Sequence, residues 1–423
     1  MTKDICCDDF VRTTALSRRR FLGAMAAAGT TAVATSVFGE AVLQASFGAV
    51  PGGNVLVVLS FRGGVDGLGL VVPHGDPAYY AARPSIAVPR TSLLAADAMF
   101  GLHPELAPLQ WLWDGGELAA VQAVGLPQPN RSHFSAMEEI EDADPGSTLR
   151  QGWVNRMVGL DAGATAVDAV HIGSATPPTL VEGPTPTLAT MRLADIRLAG
   201  AEGSWGDRRR SQLRTMWGGT TGPLAVAARS ALATEQKLQP VEGQSYRPTV
   251  AYPTEWPGTD LSAALQDAAH LIKSDMGTEV VSVDFGSWDM HDGYGTLAAG
   301  EMQLMAGSFA RSVDAFLRDL GDLRSRVTLV TISEFGRRVA QNGNKGLDHG
   351  WGNMMMVMGG GVRGGQYYGQ WPGLAAGKLV DGDLRVTTDY RQVLGEIVHR
   401  RFPDKDVTQV FPGVAYNPLG LLA

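Results

Sequence analysis

Cysteine is nearly missing from this 423-residue chain: its two copies, Cys6 and Cys7, are adjacent and precede an arginine triplet. If that amino-terminal stretch is a leader removed on export, no disulfide, zinc-thiolate site or cysteine nucleophile can form in what remains. A lipoprotein anchor is excluded too, because its cysteine would follow an apolar stretch rather than lead it. Excess positive charge is also absent. Lys and Arg number 35 against 43 Asp and Glu, a formal net charge of −8. That balance argues against nucleic acid as the partner. Beyond the leader no apolar run approaches the roughly 20 residues that span a bilayer.

The leader itself is readable. Ser17-Arg18-Arg19-Arg20-Phe21-Leu22 runs into a weakly apolar stretch from Gly23 to Phe38, followed by small residues from Gly39 to Ala49. A charged start, an apolar middle and small residues near the cleavage point make a secretory signal. The paired arginines and mild hydrophobicity predict the twin-arginine type rather than an ordinary secretory signal or a membrane anchor. That route carries folded proteins, which suits a protein that acquires a metal before export. Residues 1–49 are therefore expected to be signal and short linker. The expected location is periplasmic, cell-envelope or secreted.

From residue 50 onward the chain is long enough for a large core in one elaborated domain. Short, largely apolar runs read as buried parallel strands: Asn54–Phe61, Leu118–Val124, Val167–Ile172, Val280–Asp284, Val327–Ser333 and Asn353–Met358. Helical spacing appears between them, over Leu261–Ser274 with Asp260 placed to cap it, over Thr296–Leu320, and over Asp389–Arg400. Alternating strands and helices predict an α/β fold around a mostly parallel sheet. Residues 175–257, rich in proline and glycine, read as an insertion or cap outside that sheet.

Ligands bind beyond the carboxyl ends of strands in open α/β sheets, so the residues there carry the functional reading. The first strand runs into Arg62-Gly63-Gly64-Val65-Asp66-Gly67, where Asp66 reads as a metal ligand and Arg62 as an oxyanion holder; a plain turn aspartate is the other reading. Ser132 and Ser135 flank His133 near a helix start, where free N–H groups and the dipole suit a nucleophile or an anion site; simple capping is the other reading there. Asp289 and His291 follow the strand ending at Asp284. Glu334, with Arg337 nearby, follows the next strand, and Asp348-His349 precedes another. Carboxylates and imidazoles are ligands for divalent ions, and a set without thiolates permits Zn, Mn, Fe, Mg or Ca. His74, His103, His171, His270 and His399 read as packed or surface histidines.

Taken in order, Arg62-Gly63-Gly64-Val65-Asp66-Gly67-Leu68, Leu102-His103-Pro104, Ser132-His133-Phe134, Gly286-Ser287-Trp288-Asp289-Met290-His291, Ser333-Glu334-Phe335-Gly336-Arg337 and Asp348-His349-Gly350 resemble the domain of unknown function 1501 family of exported bacterial proteins. The resemblance runs from about Asn54 to the carboxyl end. It implies an alkaline phosphatase-like and sulfatase-like fold with a metal site on the carboxyl edge of the sheet. It further implies Asp66, Asp289, His291, Glu334, Asp348 and His349 as ligands and Ser132 in the nucleophile position. The chain departs from the superfamily pattern: Asp289 and His291 are closer than the usual pair, and Glu334 stands where an Asp-His pair is expected. The reading that follows is a metal-dependent hydrolase of phosphate or sulfate esters on a small molecule or polymer, with Ser132, Arg62 and Arg337 as catalytic residues. The alternative is a non-catalytic, metal-holding module of the envelope. For that alternative the resemblance implies an exported protein partner, of the family of unknown function numbered 1800.

Overall fold

Apolar runs of five to eight residues have nowhere to hide but a sheet covered on both faces, and the computed structural model places them there. It describes residues 42–43, 52–161, 163–201, 203–239, 241 and 246–423. The expected export signal lies outside these, apart from Val42–Leu43. In chain order the strands are β1 (Val42–Leu43), β2 (Val55–Arg62), β3 (Val71–Val72), β4 (Gly101–Leu102), β5 (Leu118–Gly125), β6 (Ala169–Ile172), β7 (Leu188–Thr190), β8 (Val280–Gly286), β9 (Val327–Ile332), β10 (Asn353–Gly359), β11 (Gln366–Tyr368) and β12 (Thr388–Asp389). The central sheet runs β1-β7-β6-β8-β2-β9-β10-β5-β11, with β12 beside β5, while β3 and β4 form a separate pair.

The sheet is mostly parallel, as expected, with one informative exception. Asn353–Met358 reads in sequence as another parallel strand, yet β10 is antiparallel to both β9 and β5. An apolar run reports burial and carries no direction, so the reversal was invisible. Its consequence is that the amino end of β10 lies at the same sheet edge as the carboxyl ends of its neighbours. The residues just before β10 therefore join those just after β2, β8 and β9.

The helices include α1 (His133–Asp142), α2 (Gly206–Gly218), α3 (Pro223–Leu238), α4 (Thr259–Lys273), α5 (Glu301–Asp319) and α6 (Tyr390–Arg401). Odd-numbered residues of β2 face α4 and α5, and even-numbered ones face α1 and α6, which gives two cores separated by the sheet. In α5, Met302, Met305, Phe309, Val313 and Phe316 form the buried stripe that helical spacing dictates. Phe309 meets Phe61 of β2 edge-on with ring centroids 4.9 Å apart. Asp260 does not cap α4; Gly258 holds that position and Asp260 sits in the first turn, where its charge still complements the dipole. Asp389 does cap α6, accepting the Arg391 N–H.

Residues 175–257 are not wholly outside the sheet. Leu188–Thr190 pairs in parallel with β6 and extends the edge, and only then does the chain leave for α2 and α3. Its return is pinned by one buried carboxylate. Asp319 accepts hydrogen bonds from Tyr246 Oη (2.6 Å), Tyr252 Oη (3.1 Å), Thr249 N (2.7 Å) and Lys273 Nζ (2.7 Å). Asp319→Ala orphans all of these, and an expected loss of about 2 kcal/mol should appear as a lower urea midpoint.

Candidate metal centre

The site is assembled from five loops on one sheet edge. Arg62 and Gly63 end β2. Asp289 and His291 follow β8, Glu334 follows β9, and His349 precedes the reversed β10. His133 opens α1 after β5. Two glycines make the assembly possible. Gly63 has φ +105°, and a Cβ there would lie 2.7 Å from Trp288 N, so the β2 and β8 loops touch only without a side chain. A Cβ on Gly336 would collide with the Gly352 carbonyl, and its absence lets the Glu334 and His349 loops pair.

At the centre, imidazole Nε2 atoms turn towards one another. His349 Nε2 lies 2.9 Å from His133 Nε2 and 3.0 Å from His291 Nε2. The Asp289 carboxylate joins them, with Oδ1 3.1 Å from His291 Nε2 and 3.4 Å from His349 Nε2, and Oδ2 3.6 Å from His133 Nε2. Donor atoms of His133, Asp289 and His349 all fall within 4.8 Å of one another.

The outer side of each ring settles its protonation. His133 Nδ1 faces Glu334 Oε1 at 3.0 Å, His291 Nδ1 faces Asp348 Oδ1 at 3.1 Å, and His349 Nδ1 faces the Arg131 carbonyl at 2.9 Å. All three partners are acceptors, so each Nδ1 donates. A neutral ring that donates from Nδ1 carries a bare lone pair on Nε2. The lone pair of His349 Nε2 then faces those of His133 and His291 at about 3 Å each, beside a carboxylate, a repulsive arrangement unless a cation sits among them. Outer partners that fix tautomer and orientation in this way are the usual supports of metal-ligating histidines. The donor set therefore fits a divalent ion.

The local field has the matching sign. Burial lowers the affinity of His133 for a proton, but hydrogen bonds to Asp289 and Glu334 outweigh it and lift its pKa to about 9, so without a cation among the donors this ring takes a second proton, on Nε2, which a metal ion would displace. Burial works against charge on Asp289 as well, yet His133, His349 and Arg337 hold it well below the usual carboxylate range. Positive charge is stabilised at this point.

A cavity of about 550 Å³ opens beside the cluster; Arg62, His133, Ser287, Asp289 and Glu334 line it together with Glu138, Glu141 and Glu182, and Phe134, Met137, Pro177 and Pro178 form its apolar wall. Arg62 binds Glu141 through Nη2 (2.7 Å) and Asp284 through Nε (3.0 Å). Its Nη1 has no protein partner among the described residues. Burial first of all, with the nearby Asp284 charge adding, raises Glu141 to about 7 against the opposing pull of Arg62.

Residues 121–392 match the sequence profile of a family described as Protein of unknown function (DUF1501). The chain belongs to that family. No curated protein matches it. Among solved structures, this DUF1501 protein is similar to the C-terminal periplasmic domain of EcEptC from Escherichia coli in complex with Zn (10% identity, TM-score 0.33, covering 75% of this chain and 77% of that one). It is also similar to the PsFucS1 sulfatase from Pseudoalteromonas sp. (13%, 0.35, 88% and 72%). A third similar structure is alkaline phosphatase from the Antarctic bacterium TAB5 (11%, 0.29, 74% and 93%).

The residues expected from sequence divide into groups. Asp289, His291 and His349 meet at the centre of the DUF1501 site. Glu334 and Asp348, expected as ligands, stand behind His133 and His291 and hold their Nδ1 atoms. Asp66, also expected as a ligand, is not at the cluster. It is 3% exposed, and its oxygens are taken by Arg83 Nη1 (2.6 Å), Arg83 Nη2 (2.9 Å) and Tyr294 Oη (2.7 Å). Arg337, expected to hold substrate, spends its donors on the protein: Gly64 O (2.6 Å), Gly63 O, Leu347 O (3.0 Å) and Asp289 Oδ1 (2.6 Å). It positions Asp289. Ser132 holds the N-cap position of α1 without a side-chain capping bond and is exposed, but does not line the cavity; Ser287 is the serine that does. His133 and Glu141 were missed. His133 was visible inside Ser132-His133-Phe134, yet a histidine at a helix start reads equally well as a packed polar residue. Glu141, eight residues further along the same helix, had no motif at all.

Proposed function

We propose that this protein is an exported, metal-dependent hydrolase of phosphate or sulfate esters. The observation that supports it is the grouping of three imidazole Nε2 atoms around His349 and the Asp289 carboxylate, at the mouth of a cavity that also presents an arginine. His133, His291, His349 and Asp289 would hold the ion. Imidazoles with one carboxylate favour Zn, Mn or Fe over Mg or Ca. When bound, a divalent ion supplies Lewis acidity to an ester oxygen and acidifies a neighbouring water.

The chain's own residues do the rest. Glu334, Asp348 and the Arg131 carbonyl keep the imidazoles aimed inward. Arg337 fixes Asp289, so the donor set is preorganised. Arg62 lines the cavity, and its Nη1 hydrogens, unused by the described residues, can hold the non-bridging oxygens of a tetrahedral anion. Phe134, Met137, Pro177 and Pro178 offer an apolar surface to the alcohol part of the ester. Export by the twin-arginine route, through residues 1–49, belongs to the same proposal.

The test is turnover of 4-nitrophenyl phosphate and 4-nitrophenyl sulfate by metal-loaded protein, before and after chelation. Activity that vanishes with chelator, returns with metal and is absent in Asp289→Ala supports the reading. No turnover of either ester by loaded protein overturns it. Within that assay Arg62→Ala should lower kcat/KM by about 10- to 100-fold, the worth of a charge-assisted hydrogen bond to an anion. Metal content should stay unchanged in this variant, which separates substrate binding from metal binding.

A further inference from the structure

A second cavity lies away from the metal cluster, behind the loop that follows His291. Its volume is about 320 Å³, and Ser85, Ile86, Ala87, Val88, Pro89, His103, Tyr294, Leu297 and Met302 are among its lining residues. Most of its wall is apolar. It contains no carboxylate, lysine or arginine.

Ser85, Tyr294 and Thr296 bring hydroxyls to its wall, and one buried imidazole is built into it. His103 is 2% exposed. Its Nδ1 accepts the Glu105 N–H at 3.2 Å, capping the short helical turn that starts at Pro104. An imidazole that accepts at Nδ1 must carry its proton on Nε2. That Nε2–H has no hydrogen-bond partner among the described residues, and the ring lines the cavity. Buried polar groups are satisfied in folded proteins, by protein, by water or by a ligand. Burial pushes the His103 pKa down to about 4, against a smaller upward pull from Asp66, so at neutral pH the ring is an uncharged donor.

We propose that this cavity binds a small uncharged molecule with an apolar body and one hydrogen-bond acceptor, such as a ketone, ester or ether oxygen, placed on His103 Nε2–H. An anion would find no countercharge in these walls, and an ammonium would face an N–H donor where it needs an acceptor. The site is distinct from the metal centre but joined to it along the chain. Tyr294, Leu297 and Ala298 begin three residues after His291, and Tyr294 Oη donates to buried Asp66. Occupancy therefore stiffens the segment between a metal-cluster histidine and α5.

Cyclohexanone is the probe, with cyclohexylammonium as the charged control of similar size. Binding to the full chain is followed by saturation-transfer NMR and by hydrogen exchange of residues 292–300. For seven heavy atoms, a Kd on the order of 1 mM is expected, with slower exchange in that segment and no competition from cyclohexylammonium. Ala298→Phe, at an exposed position on the rim, should block the cavity and weaken binding at least tenfold. His103→Phe should weaken it as well while changing little else about the probe's surroundings. Three results overturn the proposal: no binding to wild type, equal binding of the ammonium, or binding unchanged in Ala298→Phe. The last two would mean adventitious contact, and the first a cavity that holds water only.

Discussion

His349→Ala should lose bound metal and ester hydrolysis together while remaining folded. His349 is the hub of the cluster, since its Nε2 lies within 3.4 Å of His133, His291 and Asp289 alike. Without it the other two imidazoles are joined only through the Asp289 carboxylate. Removing only an outer partner of a ligating histidine typically costs about 10- to 100-fold in metal affinity, so removing the hub should cost at least that much. Loss of the Lewis acid should then lower kcat/KM on the order of 1000-fold or more. The fold should survive, because the His349 side chain is partly open and the core beneath it belongs to Phe335 and β10. Metal analysis, ester turnover and the thermal midpoint, taken on one sample, check this. Glu334→Gln is the graded companion: it weakens acceptance from His133 Nδ1 without deleting a donor, and should fall at the outer-partner level. Metal retained at full stoichiometry in His349→Ala would refute the arrangement.

Arg83→Met should be the most destabilising single change among those considered, and it bears on Asp66. Arg83 is 0% exposed and Asp66 is 3% exposed. The pair is bidentate, and Arg83 also donates from Nε to the Val339 carbonyl at 2.9 Å. Removing the guanidinium leaves a buried carboxylate with only Tyr294 for support. Breaking one side of a buried pair typically costs about 3–5 kcal/mol. The double variant Asp66→Leu/Arg83→Met should recover part of that loss, because no unpaired charge remains. Urea midpoints of the single and double variants check both statements. Asp66→Leu alone should keep its metal at temperatures where it is folded, which follows from its place away from the cluster. Loss of metal in a folded Asp66→Leu would show that the aspartate ligates after all.

The sheet was legible wherever strands are long and buried. β2, β5, β8, β9 and β10 appear in the sequence to within a residue or two because both faces are covered and their runs are largely apolar. β7, β11 and β12 were not seen. They are two or three residues long and lie in the outer part of the sheet, too short for any pattern to rise above its surroundings. The direction of β10 depends on what it pairs with, which no local pattern records.

The site was legible as a set of loops and not as a set of roles. Acid and histidine together at successive strand ends marked Asp289, His291, Glu334, Asp348 and His349. Which of them face inward depends on distances: Glu334 and Asp348 are as suited by chemistry to hold a metal as to hold an imidazole. Asp66 resembled a ligand because it follows a glycine turn at a strand end, and nothing near it in sequence announced Arg83, seventeen residues on. His133 was hidden by its company. Serine at a helix start drew the functional reading, and the histidine beside it is the residue that reaches the cluster.

The most direct measurement is the metal content of the protein purified through its own export route without added metal or chelator. The account predicts about one equivalent of a transition metal per chain, since one convergent donor group is present among the described residues. Absence of any stoichiometric metal, in protein that also fails to take up zinc, manganese or iron on titration, would contradict it.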